Sequence, residues 1–277
     1  MKFIQLFFLT MEPIIDYPDR VKIVLDELVR NFRNYLRGEL VGVYLHGSLA
    51  MGGFNEESSD IDVLIVTQDK LVLEDKKVLS QIMLKLSIKA PANGFEVSVV
   101  TLENLRNFIY PTPYEFHFGI DQLKNFEEGN VDFTSGKTDP DLAAHFVITK
   151  ERGICLLGLP IKEIFPDVPR GYYLDSVIRD VEWSYERIID CPKKGKLDVP
   201  VYGVLNFCRV IALISEGIVT SKLEGGDWAL ENLPERYYPI ITEALREKRQ
   251  SGTAEKIDAG LIKDFAEYAI QIIRNAK

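Results

Sequence analysis

Basic charge, cysteine, histidine and long apolar runs are all scarce in this chain of 277 residues. Lysine and arginine number 33 against 42 acidic residues, a formal net charge of -9. A nucleic-acid surface needs a basic stripe to neutralise phosphates, so this balance argues against one. It suits a cationic small molecule, although many proteins are acidic for solubility alone. The three cysteines, Cys155, Cys191 and Cys208, are odd in number and far apart, so neither a disulfide framework nor a CxxC metal knuckle can be read from them. His46, His117 and His145 have no second ligand at zinc-like spacing, which favours core or surface roles. No run is long enough to span a bilayer. The apolar opening from Met1 to Leu9 lacks a small-residue cleavage site before Glu12 and Asp16. Residues 1–10 therefore read as a packed or frayed extension, with Met11 an alternative start. With so little cysteine and no export signal, a reducing cytoplasm is expected.

Hydrophobic residues at 46% and charged ones at 27% are ordinary for a globular protein. Val21, Val24, Leu25, Leu28, Phe32, Tyr35 and Leu36 recur at helical spacing, which predicts an amphipathic helix from about Pro18 to Arg37, ended by Gly38. Leu40 to Leu45, Ile61 to Val66 and Phe95 to Val100 read as buried strands, with a helix from about Asp75 to Ile88 between the last two. That order predicts an α/β N-terminal domain with a mixed sheet. Beyond Pro160 helical signals dominate, over about Leu174 to Ile189, Val204 to Glu216, Asp227 to Leu233, Pro239 to Lys248 and Leu261 to Asn275. The expected division is a catalytic domain over residues 1–160 and an all-α helical bundle over residues 161–277. The turn-forming residues around Gly158-Leu159-Pro160 mark the boundary.

The chemistry is concentrated in His46-Gly47-Ser48, an eleven-residue spacer, and Asp60-Ile61-Asp62-Val63-Leu64-Ile65-Val66. Side chains alternate along a strand, so Asp60 and Asp62 project from one side while Ile61, Val63 and Ile65 fill the other. Two neighbouring carboxylates repel unless neutralised, and a hard divalent cation such as Mg²⁺ is the usual answer. Gly47 lets the backbone approach a phosphate, and the Ser48 hydroxyl and nearby N–H groups can donate to it. Glu96 stands among buried-type neighbours in Phe95-Glu96-Val97-Ser98, where a glutamate needs a partner or a metal. If the two strands are adjacent, the three acids converge at one sheet edge.

Gly-Ser, a spacer, Ser-Asp-Ile-Asp and a later strand carboxylate resemble the DNA polymerase beta-like nucleotidyltransferase superfamily. Within it, the chain resembles the spectinomycin/streptomycin adenylyltransferase family along nearly its whole length. Leu45-His46-Gly47-Ser48, Phe95-Glu96-Val97, Asp139-Pro140-Asp141-Leu142 and, most specifically, Asp227-Trp228-Ala229-Leu230-Glu231-Asn232-Leu233-Pro234 carry the likeness. The resemblance implies metal and triphosphate at Gly47, Ser48, Asp60, Asp62 and Glu96, with Glu96 as catalytic base. It further implies that Ser59 and Asp141 help hold nucleotide, and that Arg209 and Lys222 reach the phosphates from the helical domain. Arg209 has independent support as the only charged residue between Val204 and Ser215, in a helix apolar almost all round. The alternative role for Arg209 is a structural ion pair with an acid elsewhere in the chain. Lys222 falls in an expected loop, where a lysine is ordinarily solvated, and only the resemblance assigns it a phosphate.

The implied function is Mg²⁺-dependent transfer of AMP from ATP to an antibiotic hydroxyl by a monomer that binds two metal ions and neither nucleic acid nor membrane. A protein or other small-molecule acceptor, or a non-catalytic nucleotide-binding role, is the alternative. One departure bears on the acceptor. Relatives that accept both streptomycin and spectinomycin carry a tryptophan and acids before the Arg209 helix. Here Asp190 to Gly203 has no tryptophan and contains Lys193, Lys194 and Lys196. Asp121 also replaces an aromatic residue after Phe118-Gly119. Added positive charge repels guanidinium groups, so the 9-hydroxyl of spectinomycin is the expected target.

Overall fold

The computed structural model describes residues 17–91, 93–134, 136–189, 200–250 and 258–276. The chain begins with α1 (Asp19–Leu36), β1 (Leu40–Leu45), α2 (Gly47–Ala50), β2 (Ile61–Thr67), α3 (Leu73–Ser87) and β3 (Phe95–Thr101). There follow α4 (Leu102–Arg106), β4 (Thr112–Pro113), β5 (Phe116–Phe118), α5 (Leu123–Glu128), β6 (Thr138–Asp139), α6 (Leu142–Arg152), β7 (Ile154–Gly158) and α7 (Ile161–Ile164). The remainder is helical: α8 (Arg170–Ile189), α9 (Pro200–Glu216), α10 (Lys222–Asn232), α11 (Tyr238–Gln250) and α12 (Ala259–Asn275).

Five strands form a mixed sheet in the order β5-β3-β2-β1-β7, with β2 and β3 parallel and the other pairs antiparallel. Its apolar residues alternate between two cores, because the central strands bury both faces. Val43, Ile61, Val63, Ile65, Val97 and Val99 pack with α1 and α3 on one face. Tyr44, Leu64, Val66 and Val100 pack on the other with Leu142 and Phe146 of α6. A third core joins α8 to α12, built around residues such as Val181, Phe207, Ile241, Phe265 and Ile270. Ala144 of α6 contributes to this core too, so α6 runs along the seam between sheet and bundle.

Several local expectations change. The residue that leaves helical geometry after α1 is Arg37, with φ of 49°, one position before Gly38. The expected helix from Asp227 begins five residues earlier, at Lys222, where Ser221 and Glu224 form a capping box. Gly225 and Gly226 mask that start, since glycine is a poor helix former. Packing explains them: a Cβ on Gly225 would lie 2.6 Å from the Arg209 Cα, and one on Gly226 2.6 Å from Leu245 Cδ2. Their bare backbone lets α10 lie directly against α9. Strand β7 and helix α6 were not anticipated either, because Leu142–Arg152 has no clean polar face when both sides are covered. Among the described residues, no helix is long and apolar enough to cross a membrane.

Candidate active site

The β1–α2 turn and the start of β2 are built as one unit. The His46 amide donates to the Asp62 carbonyl at 3.0 Å, which draws the turn after β1 against β2. Gly47 then adopts φ of 64°, and a Cβ there would lie 1.8 Å from Asp62 Oδ2. Only glycine fits that contact. The Ser48 backbone N–H donates to the Asp62 carboxylate. The Ser48 hydroxyl is buried with no hydrogen-bond partner among the described residues. A buried orphan hydroxyl is costly, and a ligand oxygen in the adjoining space would satisfy it.

Parallel pairing sets Asp62 directly opposite Glu96. Asp60, Asp62 and Glu96 each offer an oxygen, all within 4.8 Å of one another. The sheet-edge expectation is corrected here. Both strands are interior to the sheet, and the acids meet at the strands' N-terminal ends. Burial, and then the charges of Asp60 and Glu96, hold the Asp62 carboxyl well above the usual carboxylate range. Three converging hard oxygen donors, whose mutual repulsion favours protonating one of them, fit a divalent cation such as Mg²⁺.

A cavity of about 930 Å³ extends from these acids to the helical half. All nine residues singled out from sequence line it: Gly47, Ser48, Ser59, Asp60, Asp62, Glu96, Asp141, Arg209 and Lys222. Ser59 is buried, and its hydroxyl accepts from the Asn55 amide at 3.0 Å. Asp141 stands at the head of α6. Its carboxyl is pushed up to about 6 by burial and by Asp139, Asp180 and Glu96, against the opposing influence of His145. Arg209 both lines the cavity and forms a structural ion pair, donating to Asp180 at 3.2 Å and to Asn206 at 2.6 Å. Lys222 is not on a solvated loop. It is the first residue of α10, its ammonium 3.9 Å from the Tyr202 ring centroid. Burial and the Arg209 charge bring it down to about 8.

Four cavity residues carried no assignment from sequence. His145 places Nε2 3.7 Å from Glu96 Oε1, and its ring lies 4.8 Å from that of His46. Its spacing of four from Asp141 on one helix face was the available signal. Asp180 accepts hydrogen bonds from Tyr202, Asn206 and Arg209, tying α8 to α9. Tyr202 supplies the ring beneath Lys222. Lys248 donates to Ser59 at 2.8 Å, but its place in Arg246-Glu247-Lys248-Arg249 reads as a solvated charge run. The basic loop expected to bias the acceptor, including Lys193, Lys194 and Lys196, lies outside the described residues. Asp121 is described, in a short 3-10 turn over Ile120–Gln122, and is exposed.

Comparison with known proteins follows the same two-part layout. A nucleotidyltransferase domain model matches residues 21–116, and an aminoglycoside adenylyltransferase C-terminal domain model matches residues 163–271. A spectinomycin 9-adenylyltransferase of Campylobacter jejuni is 25% identical over 83% of this chain and 84% of its own length. One from Staphylococcus aureus is 29% identical over 73% and 75%. An aminoglycoside (3'') (9) adenylyltransferase of Klebsiella pneumoniae is 26% identical over 90% and 93%. The crystal structure of an Enterococcus faecalis spectinomycin adenyltransferase with ATP and spectinomycin shares the fold, with TM-score 0.75 at 20% identity over 91% of this chain and 99% of that one. Sheet and bundle thus each match their own part of one two-part architecture: the sheet half is similar to nucleotidyltransferase domains, and the helical half to the C-terminal domain of aminoglycoside adenylyltransferases.

Proposed function

We propose that this protein transfers AMP from ATP to a hydroxyl of an aminoglycoside-type antibiotic, with the 9-hydroxyl of spectinomycin as the acceptor. The observation that carries this reading is the meeting of three carboxylates, an orphan serine hydroxyl and two cationic side chains, Arg209 and Lys222, around one cavity. A residues 1–160 catalytic part and a residues 161–277 substrate-binding part face each other across it.

Asp60, Asp62 and Glu96 would hold Mg²⁺, one or two ions, which when bound neutralises phosphate charge and orients the triphosphate. The Ser48 hydroxyl and the turn at Gly47 receive phosphate oxygens on the sheet side. Lys222 and Arg209 meet them from α10 and α9, and Ser59 and Asp141 help hold the nucleotide. Glu96 accepts the proton of the attacking hydroxyl while its oxygen bonds to the α-phosphorus and pyrophosphate leaves in line. Asp180, which also pairs with Arg209, adds a carboxylate to the same cavity on the side where a cationic acceptor would lie. A prearranged site of this kind works chiefly by positioning and by charge stabilisation.

The test is pyrophosphate release from ATP and Mg²⁺ with a panel of aminoglycosides, repeated in excess chelator. Adenylated spectinomycin that disappears on chelation is the expected result. Labelled protein instead of labelled drug in a lysate would make the acceptor a protein. Tight ATP binding without turnover on any acceptor would leave a binding protein.

A further inference from the structure

Lys222 enters the cavity from the first turn of α10, and the five residues before it, 217–221, have no regular secondary structure. The start of α10 is fixed from the other half of the molecule. Arg152 is the last residue of α6, the helix whose opposite end brings Asp141 to the same cavity. Its guanidinium donates to both carboxylate oxygens of Glu224, from Nη2 to Oε1 at 2.8 Å and from Nη1 to Oε2 at 3.2 Å. Nη1 also donates to the Val219 carbonyl at 3.1 Å. Glu224 closes the capping box, its Oε2 accepting from the Ser221 amide at 2.7 Å while its own amide donates to Ser221 Oγ at 3.1 Å. A single side chain therefore holds the chain on both sides of Lys222.

The energetics of this bracket favour placement over stability. Burial raises the Glu224 carboxyl, but Arg152 and the Ser221 amide outweigh it and leave the carboxyl below its usual range, so the pair is charged at neutral pH. The two side chains keep 33% and 43% of their exposure, and an ion pair so open to water adds little to global stability. A planar guanidinium matched to both oxygens of a carboxylate does fix direction as well as distance. Close packing at Gly225 and Gly226 sets the body of α10 on its neighbours, whereas the Arg152 bracket sets its first turn. Neither Arg152 nor Glu224 lines the catalytic cavity, so any influence on a ligand there must pass through the residues between them.

We propose that Arg152 is a positioning residue for nucleotide binding, holding Lys222 in reach of the phosphates through Glu224 and the Val219 carbonyl. The sheet half would in this way aim a cation that the bundle supplies, and a displacement of about 1 Å at such a contact is enough to lose much of its effect. This rests on the AMP-transfer reading of the same site.

The test is a cycle of variants in the full chain: Arg152→Met, Lys222→Met and the two together, with Arg152→Lys alongside. Binding of a non-hydrolysable ATP analogue with Mg²⁺ is measured for each, with thermal melts. Arg152→Met is expected to weaken the analogue by roughly three- to tenfold, the size of coupling usual within one ion-pair network, with little change in melting temperature. When Lys222 is already methionine, the same change should cost less than about twofold, because the residue through which Arg152 acts is gone. Lysine keeps the charge but not the fork, so Arg152→Lys should recover part of the loss. In turnover, KM for ATP should rise more than kcat falls. Wild-type affinity in Arg152→Met would overturn the proposal. An equal loss with and without Lys222 would overturn it too, making Arg152 a structural tie. Should Arg152→Met fold poorly, Arg152→Lys carried through the same cycle gives the same decision. Wild-type affinity in Lys222→Met would remove the phosphate role of that lysine and the proposal with it. Because binding is read without an acceptor, failure of adenylyl transfer itself would be seen separately, in the wild type.

Discussion

At the scale of single residues, the site is an arrangement of groups that are unsatisfactory without a ligand. The Ser48 hydroxyl lacks a partner among the described residues, Asp62 is crowded by two acids, and Lys222 and Lys248 are cations without close carboxylates among the described residues. Each makes a separable prediction. Glu96→Gln preserves size and hydrogen bonding but cannot take a proton, so kcat should fall by roughly 10²–10⁴-fold while ATP affinity changes less. Steady-state kinetics with a parallel binding measurement decides this, and equal losses in both would make Glu96 chiefly a metal ligand. Asp141 makes a prediction about pH. Its carboxyl is raised from an ordinary 3.8 to about 6 in the folded protein. A raised carboxyl favours the folded state at low pH and loses that contribution as pH rises through about 6. In metal-free protein, Asp141→Asn should therefore melt higher than wild type near pH 7.5 and close to it near pH 4. Melting curves that differ equally at both pH values would contradict the assignment.

Among the elements, α10 depends most on close packing. Its glycine pair lets α10 lie against the backbone of α9 at Arg209, which puts Lys222 at its first turn in the same cavity as Arg209. Gly225→Ala would place a methyl 2.6 Å from the Arg209 Cα, a backbone atom that cannot step aside. Overpacking of this sort costs about 1–3 kcal/mol, or a melting temperature lower by about 2–12 °C. KM for ATP should rise as well, because the two cations move apart. Differential scanning fluorimetry and ATP kinetics on the one variant check both effects, and an unchanged KM would separate α10 packing from nucleotide binding. Register makes the same point on the sheet side, where pairing of Asp62 with Glu96 brings the acids together. A slip of one residue would turn Asp60 and Asp62 into the core.

For the whole molecule, the net charge of -9 and the acidic side of the cavity favour a cationic acceptor. The choice among such acceptors is expected to turn on Lys193, Lys194 and Lys196, three positive charges in the segment leading into α9. Streptomycin carries guanidinium groups that those lysines repel, whereas spectinomycin carries none. The expected outcome is a higher kcat/KM for spectinomycin, with weak or absent action on streptomycin. Measuring both drugs at the same ionic strength settles it, and a streptomycin preference would remove the charge argument.

The helix-strand-helix order, the helical second half and the constellation of Gly47, Ser48, Asp60, Asp62 and Glu96 are legible in the sequence, because strand alternation and motif spacing are local properties, whereas Ser59, Asp141 and Lys222 enter only through the family resemblance. Less legible are α6, which is covered on both sides, β7, a short and largely half-exposed edge strand, and the start of α10, whose glycines look like a break until α9 is set beside them. Packing of the chain, not its order, sets Glu96 beside Asp62 in the interior of the sheet, brings His145 up to Glu96, and lays Lys222 at a helix start over Tyr202. Lys248 shows the reason most clearly. In sequence it is one of a run of charges, and its meaning comes from Ser59, 189 positions away, which only packing of the bundle on the sheet brings within a hydrogen bond.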